Sequence, residues 1–395
     1  MRILVTQAVA GFNSIGDAGG GERHIHALTK YWKKQGHLIS LVTNTDDMAN
    51  LEYSHYDHVY KVNTLKIPFQ APMAISKNLF NYIVQRKQIK VICDKIENAM
   101  GNQIDLVIAA APTISDLLLG SNFSKKFSAR FITYFHLVAP PFLWYSRKRG
   151  SLPEVVFRWA FGFVGLLLAK LFDALPVFDH PEDLKDRGWK FKNGVLRDDD
   201  WVPSEIVDNN WIKENSICFI ARNDRAKGFL DLPEIFAMVA VKIPDAKLFI
   251  GGTLNNQSLK TTFYNALRKE FHDRVKILGY LDLESKLDLL RKSKVFVFPS
   301  YEDSWSIAVM EAAANKCVPV VYNLRAYDYL GTNAVKVPVS DTHEMAEKII
   351  KLLNDDRYRK EIADSLFSEV INYKAKDIAD CQIASLERFV KIGHI

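Results

Sequence analysis

Cysteine is scarce in this chain of 395 residues, which has four: Cys93, Cys218, Cys317 and Cys381. They stand far apart, with no CxxC pair and no Cys/His spacing suited to a metal. A disulfide framework and a zinc module are therefore not expected, and buried free thiols in a reducing cytosol are. Low-complexity tracts are missing, and with 48% apolar and 25% charged residues the composition is that of a globular protein. An apolar, uncharged run of membrane-spanning length is missing too. The most apolar stretch, VVFRWAFGFVGLLLAKLFDALPVF, has its longest uncharged run, Trp159 to Ala169, between Arg158 and Lys170. That is short of the ~20 residues a spanning helix needs, so a buried or interfacial helix is expected. Charge of one sign is not in heavy excess: 52 basic and 46 acidic residues give +6. This mild excess suits an anionic small molecule or a membrane surface. No basic stripe carries interleaved aromatics, and nucleic acid is not expected as a partner. The opening MRILVTQAV reads as a β-strand and lacks the charged leader, apolar core and cleavage site of a secretory signal.

What is present is an alternation of strands and helices over a length that suggests two domains of about 200 residues each. The first half opens with strand RILVTQAV, a loop AGFNSIGDAGGGE, a helix RHIHALTKYWKKQG and a strand HLISLVTN. In that helix Ile25, Leu28 and Trp32 share one face, and Gly36 supplies the stop. Strand, glycine loop, helix and strand make a right-handed βαβ unit. IDLVIAAAP and ARFITYFHL read as further strands. The pattern restarts at SICFIAR and runs through FLDLPEIFAMVAVKIP, AKLFIGG, RVKILGY, LESKLDLLRKS, KVFVFPS, WSIAVMEAAANKC and VPVVYN. The fold class is thus α/β, with two doubly wound Rossmann-like parallel sheets facing across a cleft. The expected domains are residues 1–197, 198–375 and a C-terminal helix in 376–395 that packs back on the first domain. The hinge is expected between Lys192 and Ser204.

Four stretches could carry chemistry. In PSYEDSWSIAVMEAAANKC, Asp303 follows a buried strand and Glu311 lies within the next helix among Ala308, Val309, Met310, Ala312, Ala313 and Ala314. Asp303 or Ser304 could cap that helix. Glu311, in such apolar company, needs a partner, and the hydroxyls of a polyol would supply one. In ARNDRAKGF, Arg222 follows a strand and Lys227 sits in a loop closed by Gly228; a planar guanidinium and a compact ammonium suit a diphosphate, as they also suit a solvated loop. In GDAGGGERH the glycines, Gly20 and Gly21 among them, open a helix and allow close backbone approach to a ligand. The spacing does not match GxGxxG, and the second strand ends in VTN with no obvious acid placed to hold a dinucleotide ribose. His136, in ITYFHLVAPPF, follows a strand and precedes Pro140 and Pro141. His24, His26, His55 and His58 show no ligand spacing.

Taken in order, these stretches resemble the retaining glycosyltransferases of family 4, which have the two-domain GT-B fold. GGGERHIHALTKYWKKQGHLISLVT is similar to that family's glycine loop, helix and second strand, YFH to its mid-domain histidine strand, and KNGV to its turn before the hinge. IARNDRAKG resembles the donor-diphosphate loop and ILGYL a loop bordering the nucleotide base. FPSYEDSWSIAVMEAAANKCVPVV resembles the signature in which seven residues separate two glutamates. The first of these glutamates is Asp303 here, preceded by Glu302. Ser304 and Ser306 replace the signature glycines, and NLRAYDYLGTN stands where a glycine-rich, acid-containing turn is usual.

The resemblance implies transfer of a sugar from a nucleotide-diphosphate donor to the hydroxyl of a glycan or lipid-linked glycan, with retained anomeric configuration. It implies that Arg222 and Lys227 neutralise the leaving diphosphate, with backbone donors near Gly20 and Gly21. Glu311 would hold the ribose, Asp303 the transferred sugar, and His136 would lie near the reacting face. Gly279, Tyr280, Ser306 and Ile307 complete the implied donor site. It calls for no metal and no cofactor. Trp144, Tyr145, Arg147, Lys148 and Arg149, beside the apolar helix, could touch a membrane, so the expected location is cytoplasmic, with a peripheral place on the inner face left open. A non-catalytic sugar-nucleotide binder and a nicotinamide-dependent oxidoreductase or epimerase are the alternatives, the second disfavoured by the glycine spacing.

Overall fold

The computed structural model describes residues 1–7, 20–44, 53–63, 74–101, 103–135, 152–201, 211–253 and 257–394. Met1–Phe142, Leu152–Asp200 and Ala375–Ile395 form one compact unit, and Trp201–Lys374 makes up the bulk of the other. Asp198 N–H bonds the Phe178 carbonyl at 2.8 Å, so the edge of the first sheet holds the chain beyond its last strand.

The first unit is built on β1 (Arg2–Gln7), α1 (Gly20–Lys34), β2 (Leu38–Asn44), β3 (His58–Val62), α2 (Ala74–Met100), β4 (Leu106–Ala109), α3 (Ile114–Phe127), β5 (Arg130–Phe135), α4 (Leu152–Leu171), β6 (Leu175–Phe178), α5 (Pro181–Asp186) and β7 (Leu196–Arg197). Among the described residues the sheet has seven strands in the order β3-β2-β1-β4-β5-β6-β7, and its pairings are parallel. Strands such as LVIA and LPVF are buried along their whole length, which is what a sheet covered on both faces requires. α1 turns Ile25, Leu28 and Trp32 into the core and ends before Gly36, whose φ of +89° suits the stop.

The apolar segment forms α4, and no described helix is long and apolar enough to cross a membrane. Among its described side chains, α4 has a buried side and an exposed one. Phe161, Leu166 and Ala169 pack inward, while Val156, Trp159, Phe163, Leu167 and Leu171 are 37–73% exposed. Spaced three or four residues apart, these five lie on one face. Trp159 stacks on Phe163, and Phe163 meets the Trp189 ring edge-on.

The second unit contains β8 (Glu214–Ile220), α6 (Leu232–Lys242), β9 (Lys247–Gly251), α7 (Gln257–Ala266), β10 (Val275–Gly279), α8 (Leu283–Lys292), β11 (Ser293–Phe298), α9 (Ile307–Ala314), β12 (Val318–Tyr322), β13 (Val335–Val337), α10 (Thr342–Asn354) and α11 (Asp356–Val370). Its six described strands run β10-β9-β8-β11-β12-β13, again parallel. Counted within the unit, this is the doubly wound order 3-2-1-4-5-6. Phe219, Phe236, Val295, Phe296, Val320 and Leu352 sit in its core. The chain closes with α12 (Ala375–Ile392), which returns to the first unit: Trp32 Nε1 donates to the Ala379 carbonyl at 3.0 Å. Cys93, Cys218 and Cys317 are buried free thiols. Cys381 is exposed, contrary to the sequence expectation, because it falls on the outer face of α12.

Candidate functional site

In a sheet of this order, connections leave β8 and β11 toward opposite faces, and the crevice outside the strand C-termini at that switch point is where ligands bind. The sequence places its charged residues there. β8 ends at Ile220, and Arg222 and Lys227 follow; β11 ends at Phe298, and Asp303 follows. The two loops are tied together by the Tyr301 N–H, which donates to the Ala226 carbonyl at 2.9 Å. The loop after β8 passes so close to Pro299 that a Cβ on Gly228 would fall 2.0 Å from the Pro299 carbonyl oxygen. Gly228 also has φ of +74°, so glycine is required on both counts.

That close approach delivers Lys227 to the second loop. Its Nζ lies 3.2 Å from Asp303 Oδ2 and 3.1 Å from the Glu302 carbonyl oxygen. The same carbonyl accepts from Ser300 Oγ at 2.8 Å, and Asp303 Oδ2 accepts from Tyr327 OH at 3.3 Å. Burial, then the neighbouring Asp303 charge, holds the Tyr327 phenol well above its ordinary pKa, so it stays a donor. Arg222 is half exposed, with its guanidinium 3.9 Å from Asp224. Asp303 does not cap α9. Ser306 holds the cap position, and Asp303 Oδ1 instead accepts from the Ser304 N–H at 3.1 Å. The acid is drawn toward Lys227 and Tyr327, and the capping alternative is corrected.

Glu311 lies in the second turn of α9 with its side chain only 1% exposed. The partner it needs is Lys286 of α8, whose Nζ donates to Oε1 at 2.6 Å. Burial pushes the Glu311 carboxyl above its usual range, and Lys286 pulls it back part of the way. Neither Lys286 nor Tyr327 was identified from sequence. The signal for Lys286 was indirect: a buried acid demands a nearby cation, and LESKLDLLRKS offers several, of which helix geometry selects one. The other implied donor residues are dispersed around this core. Gly279 ends β10 with φ of +75°, Tyr280 beside it is exposed, Ser306 is buried, and Ile307 opens α9. Gly20 and Gly21 open α1 in the first unit. His136 and the Trp144–Arg149 cluster lie outside the described residues.

The first unit has a second charged cluster, one the sequence did not disclose. His24 is buried between two acids, with Nε2 2.8 Å from Asp198 Oδ2 and Nδ1 2.5 Å from Asp200 Oδ1. Burial alone would lower the imidazole pKa; Asp198 and then Asp200 more than offset it and hold the ring protonated well above its ordinary value. Gln382 of α12 donates to Asp198, and Tyr134 OH donates to Gln382 Oε1 at 2.9 Å. The cluster therefore joins α1, β5, the segment after β7 and α12.

Comparison with known proteins agrees with this geometry. Residues 204–365 match the family model described as "Glycosyl transferases group 1". A curated relative, the N,N'-diacetylbacillosaminyl-diphospho-undecaprenol alpha-1,3-N-acetylgalactosaminyltransferase of Campylobacter jejuni, is 28% identical over 123 residues, a match spanning 28% of this chain and 31% of that protein. Sucrose-phosphate synthase from Thermosynechococcus elongatus superposes with a TM-score of 0.72 at 15% identity, covering 99% of each chain. Anabaena Alr3699/HepE, solved with UDP and glucose, gives 0.69 at 16% identity over 98% of this chain and 100% of that one. S. aureus TarM, solved with UDP among its ligands, gives 0.70 at 12% identity over 97% and 99%. The two parallel-sheet units are those of the GT-B fold, and the match to the glycosyl transferases group 1 model falls within the second of them.

Proposed function

We propose that this protein is a retaining glycosyltransferase that moves a sugar from a nucleotide-diphosphate donor to an acceptor hydroxyl on a glycan or lipid-linked glycan. The observation that carries it is the convergence of Lys227 and Asp303, 3.2 Å apart, from the two strands that flank the switch point of the second unit. As the glycosidic bond breaks, negative charge grows on the departing diphosphate and positive charge on the sugar ring. Lys227 and Arg222 stabilise the first; charge-assisted hydrogen bonds contribute roughly 1.5–3 kcal/mol each. Asp303, fixed by Lys227 and Tyr327, accepts from hydroxyls of the transferred sugar. Glu311 accepts from the ribose, with Gly279 and Tyr280 bordering the base and Ser306 and Ile307 beside the sugar. The two cations take the place that a metal ion would otherwise fill, and no other cofactor enters. The roles of Gly20, Gly21 and His136 rest on family resemblance alone.

The curated relative's name specifies a diphospho-undecaprenol-linked substrate, which supports a lipid-linked acceptor here. The exposed face of α4 supports a peripheral position on the cytoplasmic side of a membrane. The activity is tested by incubation with UDP-, GDP- and ADP-sugars, following nucleoside diphosphate release and the anomeric configuration of the product by NMR. One donor should turn over with its configuration kept. An inverted product would refute retention. Donor binding without turnover in the presence of any acceptor would make the protein a sugar-nucleotide binder instead.

A further inference from the structure

Glu311 presents a problem that the donor-site role does not solve. A carboxyl group 1% exposed among Val309, Met310 and three alanines is costly to ionise. If it were protonated, one of its oxygens would become a donor, and it could no longer accept a hydrogen bond from each of two neighbouring hydroxyls. Lys286 lies on a well-anchored element: α8 is capped by Asp282, whose Oδ1 accepts from the Ser285 N–H at 2.8 Å. Its ammonium is 2.6 Å from Glu311 Oε1 and 22% exposed, so the pair meets solvent on the lysine side only. Among the described residues, Oε2 of Glu311 takes no hydrogen bond, and Lys286 Nζ donates to no second acceptor.

We propose that Lys286 is a positioning residue for the donor site: it keeps Glu311 an anion and holds its carboxylate in the orientation that accepts the vicinal hydroxyls of a ribose. It can act in this way only if Glu311 binds the ribose, as proposed above. The consequence is specific. Lys286 should matter more for ribonucleotides than for 2′-deoxyribonucleotides, which lack one of the two hydroxyl donors.

The test is calorimetric binding of UDP, GDP and ADP and their 2′-deoxy counterparts to wild type, Lys286→Met and Lys286→Arg. Wild type should prefer one ribonucleotide over its deoxy form by about tenfold, the worth of one good hydrogen bond to a charged group. Lys286→Met should remove most of that preference by weakening the ribonucleotide more than its deoxy form, and Lys286→Arg should restore most of it. In turnover, Lys286→Met should raise the donor KM and leave kcat unchanged, which a general loss of structure would not do. Glu311→Gln provides a second route. It should reproduce the loss, and the double variant should be no worse than either single one. Retention of the ribose preference by Lys286→Met overturns this inference and leaves the donor site standing. A wild type that binds none of the three diphosphates overturns both.

Discussion

Lys227 Nζ stands 3.2 Å from Asp303 Oδ2, joining the loop after β8 to the loop after β11. Both side chains are largely buried, at 18% and 10% exposure, so solvent screens the pair only in part. Each residue thereby orients the other: the lysine toward a departing diphosphate, the acid toward the sugar. Lys227→Met should lower kcat with the donor by about 10²–10³, the loss seen when one preorganised donor to a developing charge is removed. Asp303→Asn should raise donor KM and lower kcat together. A Lys227→Met protein with wild-type kcat would remove Lys227 from the chemistry.

Gly228 sets the geometry of that pair. Gly228→Ala places a methyl group against the Pro299 carbonyl and forces a side chain into positive φ. The backbone conformation alone should cost about 1–3 kcal/mol. Urea unfolding should show the loss, and donor affinity should fall with it because Lys227 moves. Gly279 has a similar φ of +75° but an open surround, so Gly279→Asn, a residue that tolerates this region, should be mild by comparison.

Asp231 is a structural acid in the same unit. Tyr322 OH and Tyr301 OH both donate to its Oδ2, at 2.6 and 2.5 Å. Tyr322→Phe leaves Tyr301 as a donor and should cost about 1–2 kcal/mol without changing donor KM. Asp231→Ala removes the shared acceptor of two buried hydroxyls and should cost more. Paired thermal-unfolding and turnover measurements separate this effect from those at Lys227.

The first unit has an acid-sensitive contact at Asp57. Burial raises this carboxyl, but hydrogen bonds from Lys33 and the Ile39 N–H, with the Lys33 charge, hold it below its ordinary value. Its folded pKa is thus lower than the unfolded value of about 3.9. The stability it contributes is present above that unfolded value and lost as pH falls through the folded one. Asp57→Asn should therefore be less stable than wild type by about 1 kcal/mol at pH 7, with the gap closing as pH drops below 4. A gap that does not narrow at all as pH falls below 4 would show that charge is not its source.

The exposed face of α4 makes a prediction about location. Wild type should sediment with vesicles containing anionic lipid, and Trp159→Ser with Phe163→Ser should release it while leaving turnover of a water-soluble acceptor unchanged. Equal sedimentation of both proteins would take α4 out of any membrane contact.

Much of the second unit was legible in the sequence because its strands are short, apolar and separated by helices of clear period. SICFIAR and KVFVFPS located β8 and β11, and with them Arg222, Lys227 and Asp303. The partners were harder to see because they are fixed by packing between segments distant in the chain. Lys286 meets Glu311 across 25 residues, and Tyr327 reaches Asp303 across 24 residues from a 3-10 turn at Arg325–Leu330 that follows β12. His24 showed no ligand spacing, since its two acids lie more than 170 residues away. β3, β6, β7 and β13 are not among the strands expected from sequence: the first is half exposed, and the others are only two to four residues long. The apolar segment at α4 was read largely for its hydropathy, whereas the arrangement of its aromatics around the helix determines which side is buried.

The most direct test is a thermal-shift panel of UDP-, GDP- and ADP-sugars on wild type, Arg222→Ala and Glu311→Ala. One donor class should raise the wild-type midpoint, as binding to the folded state must, and both variants should lose that rise while keeping folded baselines. A wild type indifferent to every sugar nucleotide, or variants that respond as fully as wild type, would contradict the donor site described for the second unit.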